Sequence, residues 1–156
     1  MDDATREIEE ALVGHWSHFG RWPKGSLVED AGTLRYETPI PHLPYNAVLR
    51  THLADDEADK VIARVIASYR RRNVDFAWWE TPSTTPTDLG ARLEPHGVRL
   101  VERATGMSLD LDVWEGQRPR PGKRRSPTMA CRSAAWIPGW SWRRCSATPT
   151  WRAARG

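Results

Sequence analysis

Ile8, Leu12, Trp16 and Phe19 recur at i, i+4, i+8 and i+11, the apolar stripe of an amphipathic helix. Asp2 or Asp3 can cap that helix, and Gly20 and Pro23 end it. Ser26-Leu-Val-Glu29 and Thr33-Leu-Arg-Tyr-Glu-Thr38 flank Asp30-Ala-Gly32 and predict a hairpin. Pro39, Pro41 and Pro44 each remove a backbone donor and predict an extended loop. Asn46-Ala-Val-Leu-Arg-Thr51 reads as a strand. Asp55 to Arg72 is the clearest helix, with acidic residues in its first turn and Arg70-Arg71-Arg72 in its last, as the macrodipole favours. Its apolar face is Val61, Ile62, Val65, Ile66 and Tyr69, and Asn73 is its C-terminal stop. Val74 to Trp79 predicts a strand buried on both faces. Thr85 as N-cap, Pro86 at the first helical position and Asp88 start a helix that ends at His96-Gly97. Val98–Glu102 and Met107–Asp112 close the pattern as a hairpin about Thr105-Gly106. The order α-ββ-β-α-β-α-ββ predicts an α/β or α+β fold, a sheet with helices packed on it.

After that the pattern stops. Gly116 to Gly156 contains no Leu, Val, Asp, Glu, Phe or Tyr, but nine Arg, one Lys, four Trp and five Pro. Residues 1–115 hold eleven Leu and nine Val, and at that density about seven would be expected in the remainder. The formal charge of +3 hides the same break. Residues 1–115 carry 13 Lys and Arg against 20 Asp and Glu, whereas all ten charged residues beyond are basic. The chain therefore divides at 1–114, an acidic domain, and 115–156, a basic segment. With Ile137 as its one Leu, Ile or Val, that segment cannot bury enough surface to offset its ordering entropy, so a disordered C-terminal tail is expected.

Both cysteines, Cys131 and Cys145, lie in the tail and do not make a metal set. The start, Met-Asp-Asp, lacks the basic and apolar regions of a signal peptide. No apolar run approaches the roughly 18–20 residues that span a bilayer. A cytoplasmic protein is the expectation.

Asp75-Phe-Ala-Trp-Trp-Glu-Thr-Pro-Ser-Thr-Thr-Pro-Thr-Asp-Leu-Gly90, Leu93-Glu-Pro-His-Gly97, Met107-Ser-Leu-Asp-Leu-Asp112 and Ile40-Pro-His-Leu-Pro-Tyr-Asn-Ala-Val-Leu-Arg50 together resemble the GNAT superfamily of N-acetyltransferases, over about residues 5–113. The resemblance is to a subgroup, of the kind found in bacteria, in which a degenerate N-terminal GNAT-like domain precedes an active one. It implies a central mixed, mostly antiparallel sheet flanked by helices. A strand leads into an acetyl-CoA loop and a helix, and a further strand, a helix and a final hairpin follow. The family transfers acetyl from acetyl-CoA to an amine.

Active members carry Arg or Gln, two residues, Gly, one residue, then Gly or Ala, so that backbone N–H groups and the helix dipole hold the pyrophosphate. The matching stretch here, Thr51-His-Leu-Ala-Asp-Asp-Glu-Ala-Asp59, has no glycine. Its Asp55, Asp56, Glu57 and Asp59 would satisfy the helix N–H groups and repel a pyrophosphate by up to a few kcal/mol. Arg103-Ala-Thr-Gly106-Met-Ser108 nearly matches the pattern but lies in the closing hairpin. No catalytic residue, metal site or acetyl-CoA site is therefore assigned to this chain, and acetyl-CoA enters by resemblance only. The expected role is structural: covering a missing second GNAT domain, shaping its acceptor cleft, or forming a homodimer. Isolation from that partner would expose an apolar face at Leu109, Leu111, Val113 and Trp114. A reading-frame shift in GC-rich DNA from about residue 115 would explain the tail's composition.

Other signals have plainer readings. Asp56-Glu-Ala-Asp59 spells a helicase box but has no phosphate loop before it. Pro121-Gly-Lys-Arg124 lacks the spacing and the Ser or Thr of a Walker loop. His15 and His18 have no further metal ligands nearby in sequence. Trp16, Trp22, Trp78 and Trp79 read as core. Tyr45, Asn46, Trp79, Glu80, Ser83 and Thr84 fall at the ends of the central strands and are the candidate lining of a small-ligand cleft; capping and turn chemistry is the alternative. Glu80 is a carboxylate that could act as a general base, with no nucleophile evident beside it. A second functional reading makes the Arg- and Trp-rich tail a contact for single-stranded nucleic acid or an anionic membrane.

Overall fold

The computed structural model describes residues 2–109 and 134–145. The fold is a mixed α+β arrangement: a six-stranded, mostly antiparallel open sheet with three helices. Helix α1 spans Asp3–Ser17, and Asp2 caps it by accepting from the Thr5 N–H at 2.8 Å. That bond holds the Asp2 carboxyl below its usual range. A 3-10 turn, His18–Arg21, extends the helix to the expected stop.

Strands β1 (Ser26–Asp30) and β2 (Thr33–Glu37) form the expected hairpin. Its two-residue loop, Ala31 and Gly32, has positive φ at both positions, the geometry that matches strand twist. A Cβ at Gly32 would overlap the His52 carbonyl, so the turn tucks against the end of β3 (Ala47–Thr51). Helix α2 spans Asp55–Arg71 and stops where Asn73 takes a positive φ. It buries Ala58, Val61, Ile62, Val65, Ile66 and Tyr69, the face that periodicity marked. Strand β4 (Phe76–Glu80) lies parallel to β3, through Ala47↔Ala77 and Val48↔Trp78. The α2 side of the sheet packs Val48, Phe76 and Trp78 under α2. The opposite side packs Tyr36, Ala47, Leu49 and Ala77 under Val13, Trp16 and Phe19 of α1 and its turn.

Beyond β4 the structure departs from the expected pattern in three places. Helix α3 is only Leu89–Leu93, followed by a 3-10 turn at Glu94–His96 and the left-handed Gly97. Thr85 does not cap it. Thr85 bridges His52 in parallel, donating its N–H to Thr51 O and accepting from Leu53 N, so it belongs to the sheet. The closing hairpin about Thr105-Gly106 is replaced by one strand, β5 (Arg99–Leu109). Gly106 does not take the positive φ of such a turn, and register shifts at Leu100/Glu102 and Ala104/Gly106 absorb the extra residues as bulges.

The third departure lies in the segment expected to be a disordered tail. Ala134–Cys145 forms strand β6, antiparallel to both β4 and β5, and the sheet order is β1-β2-β3-β4-β6-β5. The strand needs few aliphatic residues because it does not have to build a core of its own. It enters a sheet already packed and brings Arg143, Arg144 and the buried Cys145 to carboxylates and core side chains of the first domain. The remainder of the predicted tail, 115–133 and 146–156, lies outside the described residues, as do Leu111, Val113 and Trp114 and the side chain of Leu109.

Arg143 is the anchor. Its side chain is 8% exposed and pairs with Glu80 Oε1 at 2.8 Å and Glu94 Oε1 at 3.2 Å. Ser141 Oγ donates to the other Glu80 oxygen. A Cβ at Gly90 of α3 would overlap both the guanidinium and the Glu80 carboxylate, so this pair needs a glycine above it. Arg143→Ala strands Glu80 beneath α3 and is expected to cost about 3 kcal/mol of unfolding free energy in a urea titration. Arg144→Ala, with a side chain 49% exposed, is expected to cost under about 1 kcal/mol.

Candidate functional site

The β4–α3 loop is shaped by its own hydroxyls. Thr84 Oγ1 accepts from Thr81 N–H at 2.8 Å, and Thr84 N–H donates to Thr81 O at 2.9 Å. This turn presents Ser83 to α1. Ser83 N–H donates to Glu9 Oε1 at 2.9 Å and its hydroxyl donates to Glu9 Oε2. His52 Nε2, from the end of β3, stands 3.4 Å from the same hydroxyl. The chain of contacts is Glu9–Ser83–His52. In a nucleophilic triad the histidine sits between acid and serine. Here the serine sits between the other two, and Glu9 is held by a backbone N–H as well. The arrangement ties α1 to the sheet and does not activate a nucleophile.

A cleft of about 480 Å³ opens beside this cluster. One wall is a stripe of α1 and its 3-10 turn: Arg6, Glu10, Gly14, Ser17 and Arg21, four or three residues apart. The floor is apolar, from Leu27 of β1, Leu34 of β2 and Leu49 of β3, with Val13 beside them. Arg6 pairs with Asp3 at 2.9 Å, and Arg50 pairs with Glu29 at 2.8 Å. Glu10 and Arg21 have no partner among the described residues.

The start of α2 has a different character. Ala54 offers no side-chain cap, and Asp55, Asp56 and Glu57 are exposed. These carboxylates were expected to satisfy the helix N–H groups. Asp55 and Asp59 instead reach Arg92 of α3, which Asp88 also holds through Nε at 3.0 Å. The hydrogen bond that Arg92 donates to Asp88 leads in holding its guanidinium above its usual pKa, with Asp59 and the Asp55 charge adding to it.

Among the six residues proposed as a cleft lining, only Ser83 lines this one. Asn46 is fully buried and clamps the proline loop: Oδ1 accepts from Thr38 N–H at 2.8 Å and Nδ2 donates to Ile40 O at 2.7 Å. Tyr45 meets Phe19 edge-on at 5.3 Å. Trp79 stands between Trp16 and Trp142 at 6.1 and 6.4 Å. Glu80 is engaged by Arg143 and Ser141, and Thr84 shapes the turn. Trp78 is core as expected, whereas Trp22 is 45% exposed. Sequence reasoning missed Glu9, Glu10, Gly14, Arg21 and His52. The one signal available was polar residues recurring every three to four positions along α1, opposite its apolar stripe.

Burial also pushes the phenols of Tyr36 and Tyr69 well above the usual tyrosine range, Tyr69 further through the nearby Glu37 charge. Both stay protonated donors: Tyr36 to Pro44 O, and Tyr69 to Tyr36 O at 3.0 Å. Among the described residues no group of three or more His, Cys, Asp or Glu could hold a metal ion, and no helix is long and apolar enough to cross a membrane. No protein-family model, curated protein or solved structure matches the chain.

If Asn46 is a clamp, Asn46→Ala leaves the buried Thr38 N–H and the part-buried Ile40 O without their Asn46 partner. Thermal or urea unfolding is then expected to show a loss of about 3 kcal/mol.

Proposed function

We propose that the described domain is a non-catalytic, GNAT-like structural domain of the N-acetyltransferase type. The observation that carries this reading is the start of α2. A pyrophosphate would need free N–H groups and cationic or neutral surroundings there. The position instead holds Asp55, Asp56 and Glu57, with Asp55, Asp59 and Asp88 drawn together on Arg92. The Arg92 guanidinium is already engaged by three carboxylates. The sequence of elements supports the resemblance: β3, α2, β4, α3, and then the antiparallel pair β5 and β6. We place the domain in the cytoplasm as part of a larger acyltransferase, where its role is to cover or orient an active domain or to dimerise.

The nucleic-acid or membrane reading of the basic segment is weaker where the structure describes it. Arg143 and Arg144 are engaged by Glu80, Glu94 and Asp75, and Trp142 packs on Trp79. Cations and rings spent inside the fold are not free for phosphates.

Isothermal titration of the full chain with acetyl-CoA is expected to show no saturable binding up to about 1 mM; binding in the micromolar range would overturn the non-catalytic reading. The frame-shift account has its own test. Translating the other two frames of the encoding DNA past codon 115 should yield a second domain with the Arg/Gln-x-x-Gly-x-Gly/Ala loop, and its absence from both frames would remove the account.

A further inference from the structure

We infer that the cleft between α1 and the β1–β3 half of the sheet is a binding site for a small elongated zwitterion with an apolar middle. Three features lead there. The first is the floor. Leu34 and Leu49 are buried in the native sheet, and Leu27 is 39% exposed at the cleft. Leu27 offers apolar surface to a ligand body, and the buried Leu34 and Leu49 close the floor beneath it.

The second is the charge pattern along the opposite wall. Four of the six charged side chains around the cleft are already engaged: Arg6 with Asp3, Arg50 with Glu29, and Glu9 with Ser83, whose hydroxyl also stands beside the His52 ring. Those left without partners among the described residues are Glu10 and Arg21, one of each sign. They lie eleven residues apart on one stripe. Helical rise over α1 followed by the tighter 3-10 turn places their Cα atoms about 18 Å apart along the axis. Both residues line the cleft. Opposite charges at its two ends suit a ligand with an ammonium at one end and a carboxylate at the other, separated by about 10 Å or more and less than the Cα spacing. A compact ion could meet one tip only, and a singly charged amphiphile would leave the other end unanswered.

The third is the space between them. Gly14 lies midway along the stripe, and a Cβ built on it meets nothing within 4 Å. A glycine inside a helix costs about 0.5–1 kcal/mol relative to alanine. Here that cost is not explained by a close approach of neighbouring chain. What the glycine does is widen the cleft at its midpoint, over the leucines. The volume of about 480 Å³ lies within the range of small-molecule clefts.

This site is independent of the acetyl-CoA question, because it uses the α1 face and none of the α2 start. The test uses the full chain and 8-aminooctanoate as probe, with octanoate and octylamine as single-charge controls. Isothermal titration calorimetry provides the readout. The zwitterion is expected to bind saturably with a sub-millimolar Kd and both controls at least about tenfold more weakly. Arg21→Gln is expected to bring 8-aminooctanoate down to the affinity of octylamine, and Glu10→Gln to that of octanoate. Gly14→Leu fills the midpoint and is expected to abolish binding while thermal unfolding stays unchanged or moves upward, which separates blockage from misfolding. Absence of saturable binding at about 10 mM would overturn the inference. So would either control binding as tightly as the zwitterion, or full binding by a folded Gly14→Leu variant.

Discussion

A guanidinium cannot be taken out of water without an anion waiting for it, and the C-terminal half of this sheet is arranged around one such requirement. Arg143 enters between β4 and β5 with its side chain 8% exposed, and both of its carboxylate partners come from the other side of the chain's compositional break. Isolated burial of such a charge would cost many kcal/mol, and the pairing with Glu80 and Glu94 offsets much of it. The consequence is positional. Ser141 must meet the second Glu80 oxygen, Gly90 must leave room above, and Cys145 then falls into the core beside Val98 and Phe76. A slip of one residue would turn Arg143 to the opposite face, so the ion pair fixes the register of β6 as firmly as the hydrogen-bond ladder does. β5 depends on that register in turn, since among the described strands it pairs with β6 only.

The first two-thirds of the fold was legible because its elements are paid for locally. α2 has its own apolar face and charge gradient, the β1–β2 hairpin has a turn sequence that admits positive φ, and β3 and β4 each open on an apolar run, Ala47–Leu49 and Phe76–Trp79. What failed to show in the pattern was everything that depends on a distant partner. β6 has no alternation to read, because its stability comes from Glu80, Glu94 and Asp75, up to sixty-nine residues away. Thr85-Pro86 looked like a helix start by spacing, yet the pairing of Thr85 with β3 outweighs a local cap. Thr105-Gly106 looked like a turn, yet a strand with a partner along its whole length absorbs a glycine as a bulge.

The same distinction separates the proposed cleft residues from the observed ones. Tyr45, Asn46, Trp79, Glu80, Ser83 and Thr84 were chosen for lying at strand ends, and strand ends in this molecule are where loops are fastened. Asn46 and Thr84 spend their polar atoms on nearby backbone, and Glu80 spends its own on β6. The polar groups left over belong to α1 and its 3-10 turn, which among the described residues are the helical cover on that side of the sheet. One helix cannot cover six strands, so its polar edge borders a cleft in which Leu27 stays 39% exposed. That is a consequence of layer geometry, which a one-dimensional pattern does not carry.

The break at Gly116 can now be weighed against the contacts it produces. A change of reading frame, as proposed, would make Leu, Val and every acid vanish together. It gives no reason for Ser141, Arg143 and Arg144 to stand opposite Glu80, Glu94 and Asp75 in a single register. A strand selected for this place would look much as β6 does at its final five residues: cations where the neighbouring strand and helix offer carboxylates, a small hydroxyl at the second oxygen, and a buried cysteine at the core. Composition over forty residues and complementarity over five therefore point in opposite directions. Complementarity is the stricter of the two, because it constrains particular atoms rather than averages. It binds residues 141–145 to the domain whatever the origin of the sequence around them.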